Sequence, residues 1–312
     1  MLLLRRLAFR IVILAFYPLA SSPVGAVEAV RLGTWNINNL NETTGEPLRS
    51  RAPARHDSDY ALLRKYREQM DADVIALQEM GSPRAATSIF PEDEYELIFS
   101  GRYDSAKEPD IYTAIAVRRS KVRIIQSGDY EELAVRHDPD MRLTRRGIQA
   151  LLEADDQRFW FLALHLKSGC HGSSLRPAKD EDCITLAKQI EPLERWIDEK
   201  EATGLPVIVA GDFNRRFDLH RQQDHVWQEI DDRMPQTLNL WRLPFNQPSE
   251  CPTTAPRFRA YPIDFLVFNQ VAWDGVDQES FVEVFYDLEE ASALGSRLSD
   301  HCAIAVDLSL GR

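Results

Sequence analysis

The sequence predicts an α/β or α+β layered domain, and three observations carry that expectation. Strand-like and helix-like segments alternate along the chain, with no long Gly/Ser/Pro linker between them. The 312 residues are 44% hydrophobic and 28% charged, which supplies a substantial core and excludes a disordered tail or a disulfide-held miniprotein. Several short apolar runs end abruptly in polar residues, as buried strands do where they reach a cleft.

The N-terminus stands apart from that domain. Arg5, Arg6 and Arg10 flank the apolar run Ile11 to Phe16, and small residues follow up to Val24-Gly25-Ala26. This reads as a signal peptide over residues 1–26, with one domain over 27–312. The apolar run is too short to span a bilayer, so no transmembrane segment is expected in the mature chain. The four cysteines Cys170, Cys183, Cys251 and Cys302 would enter an oxidising compartment, secreted or periplasmic, where pairing is the default. They show no C-x2-C zinc spacing, and three connectivities are open.

Val30 to Asn36 reads as a short strand, and Asn39 to His56 as a loop. Asp57 or Ser58 can cap a helix through about Met70, with Leu62, Leu63 and Tyr66 inward. Asp73 to Leu77 is a buried strand ending at Gln78-Glu79. Further strands are expected at Tyr95–Phe99, Ile111–Val117, Val122–Gln126, Gly147–Leu152 and Phe159–Leu166. A helix should start near Ala178, because Cys183, Leu186, Ile190, Leu193 and Ile197 recur at three- and four-residue steps. Pro192 should kink it or begin a new turn. Strands at Pro206–Ala210, Ile263–Phe268 and Cys302–Leu308 complete the layout.

The polar residues at the strand ends carry the chemistry. They are Thr34-Trp35-Asn36-Ile37-Asn38, Gln78-Glu79, Leu164-His165-Leu166, Gly211-Asp212-Phe213-Asn214 and Ser299-Asp300-His301, with Asp264 just inside a sixth strand. Together and in this order they resemble the endonuclease/exonuclease/phosphatase superfamily, which includes pancreatic-type deoxyribonucleases, neutral sphingomyelinases and inositol polyphosphate phosphatases. The resemblance runs from about Val30 to Leu308. The stretch His165-Leu-Lys-Ser-Gly-Cys170, with Cys183 in the next helix, looks most like secreted bacterial members. The family fold implies a four-layered α/β sandwich, with two central, mostly antiparallel β-sheets flanked by helices.

The resemblance also implies roles, and the chemistry agrees with them. Hydrolysis of an anionic phosphodiester needs positive charge at its oxygens and an activated water. Mg2+, with Mn2+ or Ca2+ as alternatives, takes oxygen ligands and keeps several waters. Glu79 and Asn36 are the expected ligands, with Asp300 facing the metal or its water. His301 is the expected general base, because imidazole titrates near neutral pH, and Asp264 would fix its tautomer. His165 would donate to the scissile phosphate or protonate the leaving oxygen. Asp212 would orient the attacking water, and Asn214, two positions on, would donate to a phosphate oxygen. Arg146 resembles the family arginine before the central strand, as a bidentate phosphate contact. The expected disulfides are Cys170–Cys183 and Cys251–Cys302, which would pin the segments carrying both histidines.

The formal charge is −12, and a leader cleaved after Ala26 takes three arginines and no carboxylate, leaving −15. This excludes a protein that grips nucleic acid by electrostatics alone. The expected function is a secreted metal-dependent phosphodiesterase acting on nucleic acid as an endonuclease. Two alternatives stand beside it: a hydrolase of inositol phosphates or sphingomyelin, and a non-catalytic binding module on the same fold. No feature calls for a protein partner, and a monomer is expected.

Overall fold

The computed structural model describes residues 28–105, 109–136, 138–140, 142–220, 224–235 and 238–311. The predicted leader lies outside them. The strands are β1 (Val30–Leu40), β2 (Val74–Met80), β3 (Tyr95–Phe99), β4 (Tyr112–Arg118), β5 (Arg123–Tyr130), β6 (Gly147–Ala154), β7 (Gln157–His165), β8 (Val207–Asp212), β9 (Trp241–Leu243), β10 (Asp264–Phe268), β11 (Val276–Val284) and β12 (Ala303–Leu308). The helices are α1 (Asp57–Met70), α2 (Pro83–Thr87), α3 (Glu181–Glu201), α4 (His225–Ile230), α5 (Pro256–Ala260), α6 (Gln270–Trp273) and α7 (Leu288–Leu294).

Two six-stranded sheets form, in the orders β11-β12-β1-β2-β4-β3 and β5-β6-β7-β8-β10-β9. Each has one parallel pair at its centre, β1 with β2 and β7 with β8, and is otherwise antiparallel. Period two along the strands builds the layers. Leu32, Val74 and Ile115 of the first sheet meet Phe159, Phe161, Ile208 and Leu266 of the second in a core between the sheets. The alternate residues face outward. Trp35, Ile75 and Leu77 pack under α1, while Leu162, Leu164 and Val209 pack under α3 and α4. The four layers are therefore helix, sheet, sheet, helix.

Several expected elements shift. The strand from Val30 continues to Leu40, where the loop was expected from Asn39, because Asn38 and Asn39 tolerate positive φ (46° and 55°) at its end. The first helix is capped one residue earlier than expected, at His56, whose N–H is accepted by the Asp59 carboxylate at 2.9 Å. Leu62 is only half-buried. The long helix starts at Glu181, with Asp180 accepting the Cys183 N–H at 2.9 Å. It runs through Pro192 as one helix, so no new turn begins there, and the Pro192 carbonyl accepts from Tyr130 Oη at 2.7 Å. Strands β9 and β11 were not anticipated, because one is three residues long and the other largely half-exposed. Both expected disulfides are present, Cys170–Cys183 and Cys251–Cys302. No helix among the described residues is long and apolar enough to cross a membrane.

Candidate active site

The inner rows of the strands turn from apolar to polar at one end of the sandwich. Along β7 the row reads Phe159, Phe161, Ala163, His165; along β8 it reads Ile208, Ala210, Asp212; along β10 it reads Phe268, Leu266, Asp264. Register then sets the polar ends side by side, with His165 opposite Asp212 and Asp212 opposite Asp264. On the first sheet Asn36 pairs with Gln78. The two sheets close over these ends, and Asn36 Nδ2 donates across the gap to Asp212 Oδ2 at 3.1 Å.

Glu79 is held at the same point. Asn36 Nδ2 lies 3.5 Å from its Oε1, and Asn39 donates to its Oε2 from both backbone N–H (3.0 Å) and Nδ2 (2.7 Å). Glu79 has φ 63°, a costly conformation for a residue with a long side chain, and one that persists only where neighbours enforce it. His165 Nε2 is 3.5 Å from Asp212 Oδ2 and 4.0 Å from Glu79 Oε1. Asp212 Oδ1 accepts the Asn214 N–H at 2.7 Å, and Asn214 Nδ2 donates to the Leu166 carbonyl at 3.1 Å. His301 Nδ1 and Asp264 Oδ2 are 2.6 Å apart. Ligand atoms of Asp212, Asp264 and His301 all lie within 4.8 Å of one another.

Electrostatics separates the two histidines. Burial, then the charges of Arg145 and His301, holds His165 well below the ordinary imidazole value, so it is neutral. Burial acts on His301 in the same sense, but the Asp264 carboxylate overcomes it and the value lies well above the ordinary one. Burial, then Asp264, pushes Asp212 up to about 7. For a divalent ion the donor set is oxygen-rich. Glu79 would hold it, and Asn36 would join through its Oδ1, which here accepts the Asn38 N–H at 3.0 Å; the Asn36 Nδ2, set between two carboxylates, marks a point of excess negative charge.

Not every expected residue joins this cluster. Asp300 is exposed, and no contact among the described residues links its carboxylate to Asn36 or Glu79; it acts on His301 through charge. Asn38 donates to the Ser296 carbonyl at 3.3 Å. Arg146 turns away, contrary to the expected phosphate role, and pairs with Asp129 (2.5 Å) and Glu131 (3.0 Å). Its neighbour Arg145 faces the site instead, close enough for its charge to act on the site's carboxylates and on His165. The Arg145 Nε is buried without a hydrogen-bond partner among the described residues, and its charge interacts with Glu79, Asp212 and His165.

Two supports escaped the reading of the sequence, and a third, Ser299, stood in the Ser299-Asp300-His301 motif with no role given to it. Arg55 is fully buried and donates to the carbonyls of Ile37 (2.8 Å) and Leu298 (3.1 Å), tying β1 to the segment before β12. Ser299 Oγ donates to the Asn36 carbonyl at 2.7 Å and accepts the His301 N–H at 3.1 Å. Tyr286 Oη donates to the His301 carbonyl at 2.7 Å. A buried arginine satisfied by carbonyls leaves no periodicity to find; Ser299, two residues before His301, was the findable one.

Among solved structures the chain is similar to an endonuclease/exonuclease/phosphatase from Bacteroides vulgatus, at 18% identity and TM-score 0.63 over 91% of this chain and 100% of that one. It is also similar to a mannosyl-6-phosphatase of Bacteroides thetaiotaomicron (18%, TM-score 0.56, 89% and 99%). A third is D. rerio TDP2 complexed with a single-strand DNA product (16%, TM-score 0.52, 89% and 98%). At such identities the likeness is one of fold. No curated protein matches the sequence. The family model described as "Endonuclease/Exonuclease/phosphatase family" matches residues 33–301, a span that takes in every strand end described above. The chain thus belongs to the endonuclease/exonuclease/phosphatase family of phosphoric ester hydrolases.

Proposed function

We propose that the protein is a secreted, divalent-metal-dependent phosphodiesterase that hydrolyses nucleic acid as an endonuclease. The observation that supports this best is the His301–Asp264 pair at 2.6 Å, set beside Asp212 and under the neutral His165. In this reading His301 accepts the proton of the attacking water, and Asp264 holds its tautomer and stabilises the imidazolium that forms. Asp212 orients the water. His165, being neutral, supplies a hydrogen bond to the phosphate rather than a charge, and Asn214 has one amide N–H with no partner among the described residues for the same use. Arg145 takes the guanidinium role expected of Arg146. Mg2+ bound by Glu79 and Asn36 would supply Lewis-acid stabilisation of the developing negative charge.

Nucleic acid is favoured by the DNA product named for the D. rerio neighbour. A phosphomonoester is the second reading, favoured by the Bacteroides phosphatase. The surplus of carboxylates, −12 in all, calls for metal and a few local arginines to draw a polyanion, so binding to duplex without metal should be weak. The test incubates the protein lacking residues 1–26 with plasmid DNA, RNA, sphingomyelin, phosphoinositides and a sugar phosphate, in Mg2+, Mn2+ or EDTA. Nicking of plasmid that disappears in EDTA and in His301→Ala is expected. Turnover of lipid or sugar phosphate alone would overturn the nuclease reading, and turnover surviving EDTA would overturn the mechanism. Mass analysis of secreted protein, expected to begin at Val27, tests the leader.

A further inference from the structure

We propose that Arg216 and Arg257, grouped around His171, form an anion subsite beside the reaction centre, which takes a second phosphoryl group of the same substrate. The proposal rests on the hydrolase reading above and names a feature of its substrate. The shared chemistry is a phosphate one group away from the scissile ester. It is either the next phosphodiester of a polynucleotide or a second ester on a polyphosphorylated small molecule.

The chain has 49 acidic residues against 37 basic ones, so an arginine readily finds a carboxylate. Arg215 shows the usual outcome. It is buried, its Nε donates to Asp224 at 2.6 Å, and its Nη1 donates to the carbonyls of Cys170 (2.7 Å) and Ser173 (2.9 Å). Arg215 is therefore structural and closed to a ligand. Arg216, one residue on, is the opposite case. Among the described residues it has no carboxylate partner, and its Nε is buried with no hydrogen bond at all. Arg257 is exposed and likewise lacks a carboxylate among the described residues; its guanidinium lies 4.6 Å from the centre of the Phe258 ring. Burial, then the charges of Arg257 and Arg215, pulls the Arg216 value down. Burial also pulls His171 down, with Arg216, Arg257 and Arg215 all adding to it. Two guanidinium groups thus share one small region beside the neutral His171 ring, with no carboxylate partner among the described residues, an arrangement that costs free energy unless an anion joins them.

The cluster is joined to the reaction centre through covalent neighbours and contacts. Arg216 N–H donates to the His171 carbonyl at 2.9 Å, and His171 Nδ1 is bonded to the Asn214 carbonyl at 2.9 Å. The His171 and Phe258 rings meet at a steep angle with their centres 4.7 Å apart. Phe258 in turn lines one pocket with Asp264 and His301. Gly172 makes the arrangement possible. A Cβ there would stand 3.0 Å from Arg216 Nη2 and 2.5 Å from Leu219 Cδ2, displacing the guanidinium.

The experiment has a kinetic arm and a binding arm. The kinetic arm compares bis(4-nitrophenyl) phosphate, which has one phosphoryl group, with a 5′-phosphorylated thymidine dinucleotide and with an inositol bisphosphate, each in Mg2+. The readout is the ratio of kcat/KM between a two-phosphate substrate and the one-phosphate ester, so a general loss of active protein cancels. The expected result is that Arg216→Gln/Arg257→Gln lowers this ratio about tenfold, through KM, for the dinucleotide or the bisphosphate. Whichever shows the effect identifies the source of the second phosphate. Arg216→Lys should recover part of it. An unchanged ratio for both would overturn the subsite. The binding arm titrates pyrophosphate into the metal-free protein by calorimetry. Binding that weakens about tenfold in the double variant supports the subsite even where no ester is turned over, an outcome that would overturn only the hydrolase reading. Equal binding by both proteins, or none by the unmodified one, would overturn the subsite.

Discussion

In the proposed mechanism one contact, His301 to Asp264, sets the proton-transfer role. A general base must be neutral to act, and the Asp264 carboxylate holds the His301 imidazolium well above the ordinary value. Activity in Mg2+ should therefore climb with pH past neutrality, through the value of His301 in the complex. Asp264→Asn removes the charge that stabilises the imidazolium. The acid limb of kcat/KM should move to lower pH, and the maximal rate should fall about a hundredfold or more. A pH–rate profile checks both. A rate that falls over the same range would reverse the roles, making His301 the cation on the phosphate and Asp212, pushed up to about 7, the base. At this scale much could be read from the chain alone. His165, Asp212, Asp264 and His301 come together as their positions at strand ends suggested. The choice between Arg145 and Arg146 could not be read, because both stand in an irregular segment before β6, where no period says which one faces inward.

Strand β8 delivers Asp212 by running tightly beside β7. Gly211 has φ 147°, and a Cβ there would lie 2.1 Å from the Leu164 carbonyl oxygen. Gly211→Ala should force the parallel pair apart, costing ~3 kcal/mol or more from clash and backbone strain together. Urea denaturation would read this as a lower midpoint; an unchanged midpoint would show that the pair can relax. The disulfides act on the two segments that carry the histidines. Cys170–Cys183 closes 13 residues and Cys251–Cys302 closes 51, worth about 3 and about 4 kcal/mol in the chain-entropy model. Replacing Cys251 and Cys302 with serine should therefore cost more stability than replacing the other pair. It should also cost activity beyond the loss of folded protein, because Cys302 is bonded in sequence to His301. Equal loss of activity and of folded fraction would limit the bridge to stability. The elements themselves were mostly evident from hydrophobic spacing. Strands β9 and β11 were not, since an edge strand with mixed exposure carries little alternation.

Across the whole molecule, several half-buried acids have their values raised. Burial pushes Asp198 up to about 6 and Glu283 up to about 7, and His301 is raised as well. Such groups bind protons more tightly folded than unfolded. Their stabilisation is complete below the unfolded values and is lost as pH rises through the folded ones. His165 and His171, both lowered, act in the opposite sense, and their contribution fades as pH falls below about 6.5. The Tm in EDTA should therefore be higher at pH 6.5 than at pH 8. Asp198 Oδ1 is buried without a partner among the described residues, so Asp198→Asn should raise Tm at pH 8 by roughly 2–4 °C, with the gain shrinking towards pH 5. Scanning calorimetry at the two pH values checks this; a gain independent of pH would show that the charge is not its source.

What the sequence by itself determined is the supply and order of the chemistry: polar residues at the ends of apolar strands, spaced so that period two turns them towards one face. That much is local, because a strand's side-chain alternation follows from backbone geometry alone. The tertiary structure decided which of those ends meet. The opposed sheets set Asn36 against Asp212, Arg55 tied β1 to the segment before β12, and Arg145 rather than Arg146 turned inward. It also locked Arg215 to Asp224 while leaving Arg216 and Arg257 without a carboxylate among the described residues. These outcomes depend on which residues distant in the chain arrive at the same place, and no periodicity records that.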